Sequence, residues 1–288
     1  MPELPEIEIV RRSLLKLINK AKIIDIKINN KNLRYKISKA LFNSLLNKQI
    51  IKISRKSKYL IFHFKKKLLL IHLGMSGKLL VVRQKNNLLL KTSFYYNLNI
   101  LKKHNHVLFF LNNDHTLIYN DVRRFGFLKV YNAKDQEKIP FLKKLGHEPF
   151  AKKFSLKYFK NFTKNKKKNI KNLLMDQTFV SGLGNIYVNE VLFASKINPL
   201  RACNNLSEIE LKNIISNIKK ILKYSISKGG ASIKDFINTE GKSGNFQQFF
   251  KVYSRENKNC SRNSCNGKIE KILISNRSSF YCNKCQTK

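Results

Sequence analysis

Met1-Pro2-Glu3-Leu4-Pro5-Glu6 opens the chain, and the residues behind it set how the fold begins. Apolar Ile7, Val10, Leu14 and Leu17 follow at helical spacing, which predicts a helix to about residue 20 with Pro2 just ahead of it. Proline near a helix start is ordinary, because its missing N–H would be an orphan there anyway. The same residues also carry chemistry. Removal of Met1 would leave Pro2 as a free secondary amine, with the carboxylates of Glu3 and Glu6 within one helical turn. Attack by such an amine on a carbon such as a sugar C1′ gives a cationic iminium, which is an electron sink. The positive end of the helix beside Pro2 disfavours its ammonium form. Taken alone, Pro2 reads as helix punctuation, so the rest of the chain has to decide.

From about 22 to 132 the pattern changes to short β-rich runs: Lys22–Asn29, Ile50–Phe64, Leu68–Val82, Val107–Leu111 and Leu117–Val130. Turn residues such as Asn112-Asn113-Asp114 separate them, as in the hairpins of a sandwich or barrel. Residues 133–150 contain Pro140, Gly146 and Pro149 and read as a linker. Beyond it the period is helical. Glu208–Lys228 is apolar at Leu211, Ile214, Ile215, Ile218, Leu222 and Ile226. It opens on a Ser207/Glu210 capping box with a Leu206/Leu211 staple and closes on Gly229-Gly230. Gly182-Leu183-Gly184-Asn185 precedes another helix, running to about Ile197. The expected class is α+β. A β-rich domain spans 1–132, a helical domain 151–250 and a small cysteine-bearing end 251–288.

Composition bounds the partner. The 288 residues are 42% apolar, enough for a real core, and Lys+Arg 58 against Asp+Glu 17 gives a net charge of +41. An excess of that size favours a polyanion, with nucleic acid first. Lys, Asn and Ile are abundant throughout, as an A+T-rich coding sequence would produce, so the sign of the charge says more than its size. No apolar run approaches the ~20 residues of a membrane span. Glu3, Glu6 and Glu8 stand where a signal peptide would be basic and then apolar. A soluble, cytoplasmic monomer is the expectation.

Four of the five cysteines fall in the last 29 residues, as Cys260-x4-Cys265, sixteen residues, then Cys282-x2-Cys285. Two pairs joined by a strand-turn-strand length suit four thiolates on one tetrahedral structural zinc ion. Lys268, Lys271 and Arg277 between the pairs would present positive charge. Cys203 reads as a small buried hydrophobe.

Two Gly-flanked loops complete the constellation. Asn120-Asp121-Val122-Arg123-Arg124-Phe125-Gly126 sets two arginines and an aromatic at a turn, and Ile71–Gly77 does the same with the unbranched Met75. In isolation Phe125 and Met75 read as core residues, and Lys58 as part of a solvated strand face. Enzymes acting on a base must extrude it and fill the hole, and an amine, a carboxylate, two insertable loops and a basic hairpin together suit that task.

These stretches resemble bacterial formamidopyrimidine-DNA glycosylase. So do Ser57-Lys58-Tyr59-Leu60, Leu145–Pro149, Leu174-Met175-Asp176, Gly184–Tyr187, Gly229-Gly230 with Lys234-Asp235-Phe236, Val252-Tyr253 and Arg277–Cys282, in one order from residue 2 to 286. The resemblance implies an N-terminal β-sandwich with flanking helices, a helix–two-turn–helix module and a β-hairpin zinc finger. It implies removal of 8-oxoguanine and formamidopyrimidines from double-stranded DNA, followed by cleavage of the abasic site. Pro2 would then be the nucleophile and Glu3 the acid/base carboxylate. Lys58 and Arg277 would serve β- and δ-elimination, although an Arg, with its pKa above 12, suits phosphate binding better than proton donation. His104, Arg123 and Lys166 would contact DNA, Asn185 a phosphate, and Lys171 would lie near the damaged nucleotide. Met75, Arg124 and Phe125 would fill the gap. Gly229–Gly244 would be a mobile loop over the flipped base. The x4 cysteine spacing, Val122 and Ser243 depart from the family's usual x2, Pro and Pro. Two rivals remain: the related endonuclease VIII, against which Leu4 and the intact Arg123–Gly126 stand, and a non-enzymatic zinc-bearing DNA-binding protein.

Overall fold

The computed structural model describes residues 2–86, 88–90, 101–231 and 245–286. The chain divides into two compact units, Met1–Lys143 with Gly229–Asn245, and Lys144–Lys228 with Phe246–Lys288.

The first unit opens with helix α1, Leu4–Ile18. Strand β1 (Ile23–Ile28), a one-turn helix α2 (Lys39–Asn43), and strands β2 (Lys52–Lys56), β3 (Tyr59–His63), β4 (Lys67–His72), β5 (Lys78–Arg83) and β6 (Leu88–Leu90) follow. Then come β7 (Asn105–Leu111), β8 (His115–Asn120), β9 (Phe127–Asn132) and the short α3 (Pro140–Lys143). Two antiparallel sheets result, ordered β1-β7-β8-β5-β6 and β2-β3-β4-β9. Their inner faces share one core: Ile53, Leu60, Phe62, Leu69 and Leu128 from one sheet join Leu79, Val81, Val107, Phe109 and Leu117 from the other. Ile7, Val10, Leu14 and Ile18 of α1 add a flank to it. This is the expected β-sandwich with flanking helices.

The strands are shorter than the sequence runs suggested. The run 50–64 is a hairpin, β2 to β3, that turns at Ser57-Lys58. Lys58 therefore sits in a turn rather than on a strand face, and Ser57 takes the left-handed φ of 57° that the turn needs. The runs 68–82 and 117–130 each hide a change of sheet. The chain leaves β4 for β5 through Leu73–Gly77, and leaves β8 for β9 through Asp121–Gly126. Because β4 pairs with β9 and β5 with β8, the two crossovers leave the same end of the sandwich side by side. His72 faces Phe127 and Lys78 faces Asn120 at that end.

The second unit carries α4 (Leu156–Thr163), α5 (Ile170–Met175), α6 (Asn185–Ala194) and α7 (Glu208–Ser227), then the hairpin β10 (Ile269–Ile274) and β11 (Arg277–Cys282). The Ser207/Glu210 capping box opens α7 as expected, and Gly229 and Gly230 beyond its end have φ of 82° and 77°. Helix α6 is apolar nearly all round and its residues 186–193 are buried, as a central helix must be. An aromatic cluster of Phe154, Tyr158, Phe159, Phe162 and Phe179 packs beside α4. No helix among the described residues is long and apolar enough to cross a membrane.

Candidate active site and nucleic-acid interface

Pro2 lies ahead of the first turn of α1, and Glu3 is the N-cap. Both are buried. The Glu6 carboxylate accepts the Glu3 backbone N–H at 2.9 Å through Oε2, closing a capping box. Through Oε1 it also accepts the backbone N–H of Ala231 at 2.8 Å. One buried carboxylate, 1% exposed, thus ties the Pro2-Glu3 terminus to the Gly229-Gly230-Ala231 stretch. The rest of the loop expected to cover a flipped base, including Lys234-Asp235-Phe236, Gly241, Ser243 and Gly244, lies outside the described residues.

Lys58 is 5% exposed, and its turn is braced from below. Arg55 donates through Nη1 to the Ser57 carbonyl at 3.0 Å and through Nε to Glu8 at 3.2 Å. Glu8 also accepts from Arg11 and Arg12 at 2.7 and 2.9 Å. Burial pushes the Glu8 carboxyl up, but hydrogen bonds from Arg11 and Arg12 and the charges of Arg11 and Arg55 outweigh it and hold the pKa at about 2.

The two crossover loops meet at one carboxylate. Asp121, 0% exposed, accepts from Ser76 Oγ at 2.5 Å, Tyr119 Oη at 3.0 Å and the Gly126 N–H at 2.9 Å. Ser76 Oγ in turn accepts the Arg123 N–H at 3.0 Å, and His106 Nε2 meets the Asp121 carbonyl at 2.7 Å. Gly74, at φ 61°, packs so close that a Cβ there would fall 2.5 Å from the Gly126 nitrogen. Met75 is half-buried, whereas Arg123, Arg124 and Phe125 are exposed, Phe125 by 45%. Phe125 is therefore no core residue. The Arg123 guanidinium lies 4.6 Å over its ring. Below them His72 is held near pKa 4 by burial and by the neighbouring cations Lys58 and Arg34. Its Nδ1 accepts the Gly74 N–H at 3.2 Å. His104 is half-buried at the same end, and its carbonyl accepts the Asp121 N–H. The outcome is one projection that carries an exposed aromatic, Phe125, with the exposed Arg123 over its ring and the exposed Arg124 next to it in the chain.

In the second unit the hairpin turn Ser275-Asn276 has φ of 48° and 58°, a two-residue reversal that leaves Arg277 exposed. The base of this tip is pinned by helices. Asn185 Nδ2 donates to the Ser278 carbonyl at 2.9 Å, and the Phe280 N–H donates to Asn189 at 2.8 Å. Lys171, 1% exposed, donates to the Ser278 carbonyl at 3.2 Å and to Ser279 Oγ. Burial and the Arg277 charge push its pKa down to about 8. Lys171 and Asn185 thus both reach the hairpin, while Lys166 lies over the Phe162 ring at 4.4 Å. Glu190 on α6 collects the N–H groups of Lys251, Val252 and Tyr253 at 2.9–3.0 Å and fixes the entry to the cysteine region.

Cys260, Cys265, Cys282 and Cys285 bring their sulfurs within 4.8 Å of one another. Cys260 and Cys285 are 3.9 Å apart, and Cys265 and Cys282 3.6 Å. Four thiolates about 2.3 Å from a tetrahedral ion would stand about 3.8 Å apart, so the residues fit a four-sulfur metal site. Cys203 is buried elsewhere, its thiol pushed up to about 11 by burial. The sequence set Glu6 beside Pro2, but the supports Glu8, Asp121 and Glu190 carried no role there. All are acidic residues in a chain with few of them, which is the one signal that would have drawn attention to them.

A sandwich with a buried Pro-Glu terminus, a helical module and a four-cysteine hairpin defines a class, the DNA glycosylases built on a helix–two-turn–helix. Two family models match: the formamidopyrimidine-DNA glycosylase N-terminal domain over residues 1–128 and the formamidopyrimidine-DNA glycosylase H2TH domain over 145–237. The chain belongs to the formamidopyrimidine-DNA glycosylase family. It is 40% identical to the formamidopyrimidine-DNA glycosylase of Bartonella tribocorum, covering 99% of this chain and 100% of the relative. It is 41% identical to that of Rickettsia bellii, covering 99% of each. Among solved structures, it is similar to the Lactococcus lactis Fpg in complex with an abasic-site-containing DNA, at TM-score 0.84 and 35% identity over 99% of this chain and 100% of that one. The same protein bound to Fapy-dG-containing DNA gives 0.85 at the same identity and coverage.

Proposed function

We propose that this chain is a base-excision-repair glycosylase and abasic-site lyase that removes oxidised purines from duplex DNA. The observation that carries the reading is the fixed, buried Pro2-Glu3 terminus, held by Glu6 at the mouth of α1. In this reading the Pro2 nitrogen attacks C1′ of the damaged nucleoside and the base departs with a proton; the C1′–O4′ bond then opens, O4′ taking a proton, and an iminium remains on Pro2. Glu3 moves protons at the sugar. Lys58, braced by Arg55 through the Ser57 carbonyl, serves β-elimination, and Arg277 holds the phosphate that leaves in δ-elimination. Met75, Arg124 and Phe125 fill the space of the extruded base, and Arg123, His104, Lys166 and Asn185 contact the backbone. Because Lys171 is buried on Ser278 and Ser279, we assign its influence on the lesion to the hairpin it supports. The four cysteines would hold one zinc ion, which stiffens the hairpin and takes no part in the reaction. A cytoplasmic place, on the nucleoid through DNA binding, goes with this activity.

Borohydride trapping tests the reading. An 8-oxoguanine duplex is expected to cross-link to Pro2. A better cross-link with a thymine-glycol duplex would instead assign the chain to oxidised pyrimidines, and no cross-link to either would leave a DNA-binding protein. Pro2→Gly, with Met1 removed, is expected to lose most strand cleavage and keep duplex affinity, which comes mainly from phosphate contacts.

A further inference from the structure

The four residues between Cys260 and Cys265 are not a slack loop. Cys265 donates its N–H to the Arg262 carbonyl at 3.0 Å, so Arg262 stands on a turn, and the Arg262 N–H reaches the Cys260 sulfur. Its guanidinium leaves the cysteine cluster altogether. Nη2 donates to the Phe193 carbonyl at 2.6 Å, with the Ala194 carbonyl at 3.4 Å, and the group lies 4.6 Å from the centre of the Phe193 ring. These carbonyls are at the last turn of α6, where the helix end is negative, and the Phe193 carbonyl takes the Arg262 guanidinium beside the Lys196 N–H that it accepts at 3.0 Å. Phe193 itself is packed with Cys260, Ile269, Phe280 and Cys282 in the small core of the hairpin. Arg262 therefore closes that core from outside while bonding α6.

Helix α6 then touches the cysteine hairpin at three levels. Asn185 at its first turn holds the Ser278 carbonyl, Asn189 in its middle holds the Phe280 N–H, and Arg262 holds its C-terminal end. Ser278 is the residue next to Arg277. Asn185 and Asn189 hold β11 from the first half of the helix, and Arg262 adds a fastening at the helix's far end, from the cysteine loop instead of the strand.

We infer that Arg262 is a positioning residue for Arg277, acting through α6, and that the longer first cysteine loop is what delivers it. The effect on product rests on the proposed lyase activity, while the effect on metal retention does not. The test uses the metal-loaded full chain and two readouts: transfer of zinc to a chromogenic chelator, and the ratio of β- to β,δ-elimination product on an abasic-site duplex. Arg262→Ala is expected to release zinc about tenfold faster, the usual scale for losing a support behind a metal ligand. It is also expected to accumulate β product. Arg262→Lys, which keeps a cation at the two carbonyls, is expected to recover most of the product ratio.

A wild-type product ratio in Arg262→Ala would overturn the proposal, even if zinc left faster, because Arg262 would then be only a staple of the knuckle. Equal impairment in Arg262→Lys would overturn it too, by pointing to general packing. If Arg262→Ala does not fold, Arg262→Gln carries the same comparison. A wild-type chain that cleaves no DNA would sink the proposed lyase while the chelator readout still judged Arg262: unchanged release would overturn its anchoring.

Discussion

Glu8 shows how much a single carboxylate does in so basic a chain. Its pKa of about 2 lies below its ordinary value of 4.5, so the stabilisation is whole above pH 4.5 and is lost as pH falls towards 2. Glu8→Gln is expected to cost on the order of 2 kcal/mol at pH 7 in urea unfolding, with the gap to wild type closing as pH is lowered through 4. Because Arg55 bridges Glu8 to the Ser57 carbonyl, the same variant should also slow β-elimination by loosening the Lys58 turn. Equal stability of the two proteins at pH 7 would refute the ion-pair account. Asp121 makes the complementary case. Asp121→Asn would turn an amide donor either toward Tyr119 Oη and the Gly126 N–H or toward Ser76 Oγ, all of which donate to the carboxylate now. It is expected to lose about 1–3 kcal/mol of stability. Lesion cleavage should drop on the order of tenfold or more, since a small misplacement of the projection is costly. Affinity for undamaged duplex should fall much less than cleavage, since most phosphate contacts lie elsewhere. A cleavage rate equal to wild type would show that the two loops hold their positions without the hub.

At the scale of elements, the cysteine hairpin gives the sharpest expectation. A short hairpin with a six-residue core draws much of its folding energy from its metal. Cys282→Ser is expected to lose zinc by elemental analysis and to weaken DNA binding, while the unfolding transition of the β-sandwich stays where it was. Elemental analysis of reduced wild-type protein that finds no zinc would remove the metal from this account. The elements also show what the sequence could and could not say. Helix α7 was legible because its signals are local: a capping box, a 3.6-residue period and two glycines. The hairpin at Ser57-Lys58 was not, because neither residue announces a turn and Ser57 takes its left-handed backbone without being Gly or Asn. The changes of sheet at Leu73–Gly77 and Asp121–Gly126 looked like loops inside continuous β runs, since sheet membership depends on partners far away in the chain. Pro2, Glu3 and the four cysteines could be picked out from type and spacing. The residues that position their neighbours, Glu6, Asp121 and Arg262, act on groups 225, 45 and 69 positions away, and no local pattern encodes that.

For the whole molecule, net charge sets an expectation about salt. If the surplus of +41 all acted on DNA, affinity would collapse with ionic strength; if much of it is compositional drift, only the cations at the interface count. Duplex affinity followed by fluorescence anisotropy is expected to fall linearly in log–log form with a slope near −6 to −10, the range for a handful of neutralised phosphates. A slope near zero would mean that phosphate contacts do not supply the binding. The projection at the end of the sandwich bears on drift in another way. Its two loops are also the places where the chain passes from one sheet to the other, so the part proposed to meet DNA and the part that closes the fold are the same piece of backbone. Surface loops usually absorb insertions and substitutions freely, but Gly74, Gly126 and Asp121 sit where the two loops pack and bond to each other, so a change there costs the fold stability. In a lineage that no longer needed repair, selection for a folded protein would go on guarding those three positions. Phe125 and Met75 have no such guardian, being outside the hydrogen-bond network that joins the loops. In such a lineage they would erode ahead of the three positions that hold the fold.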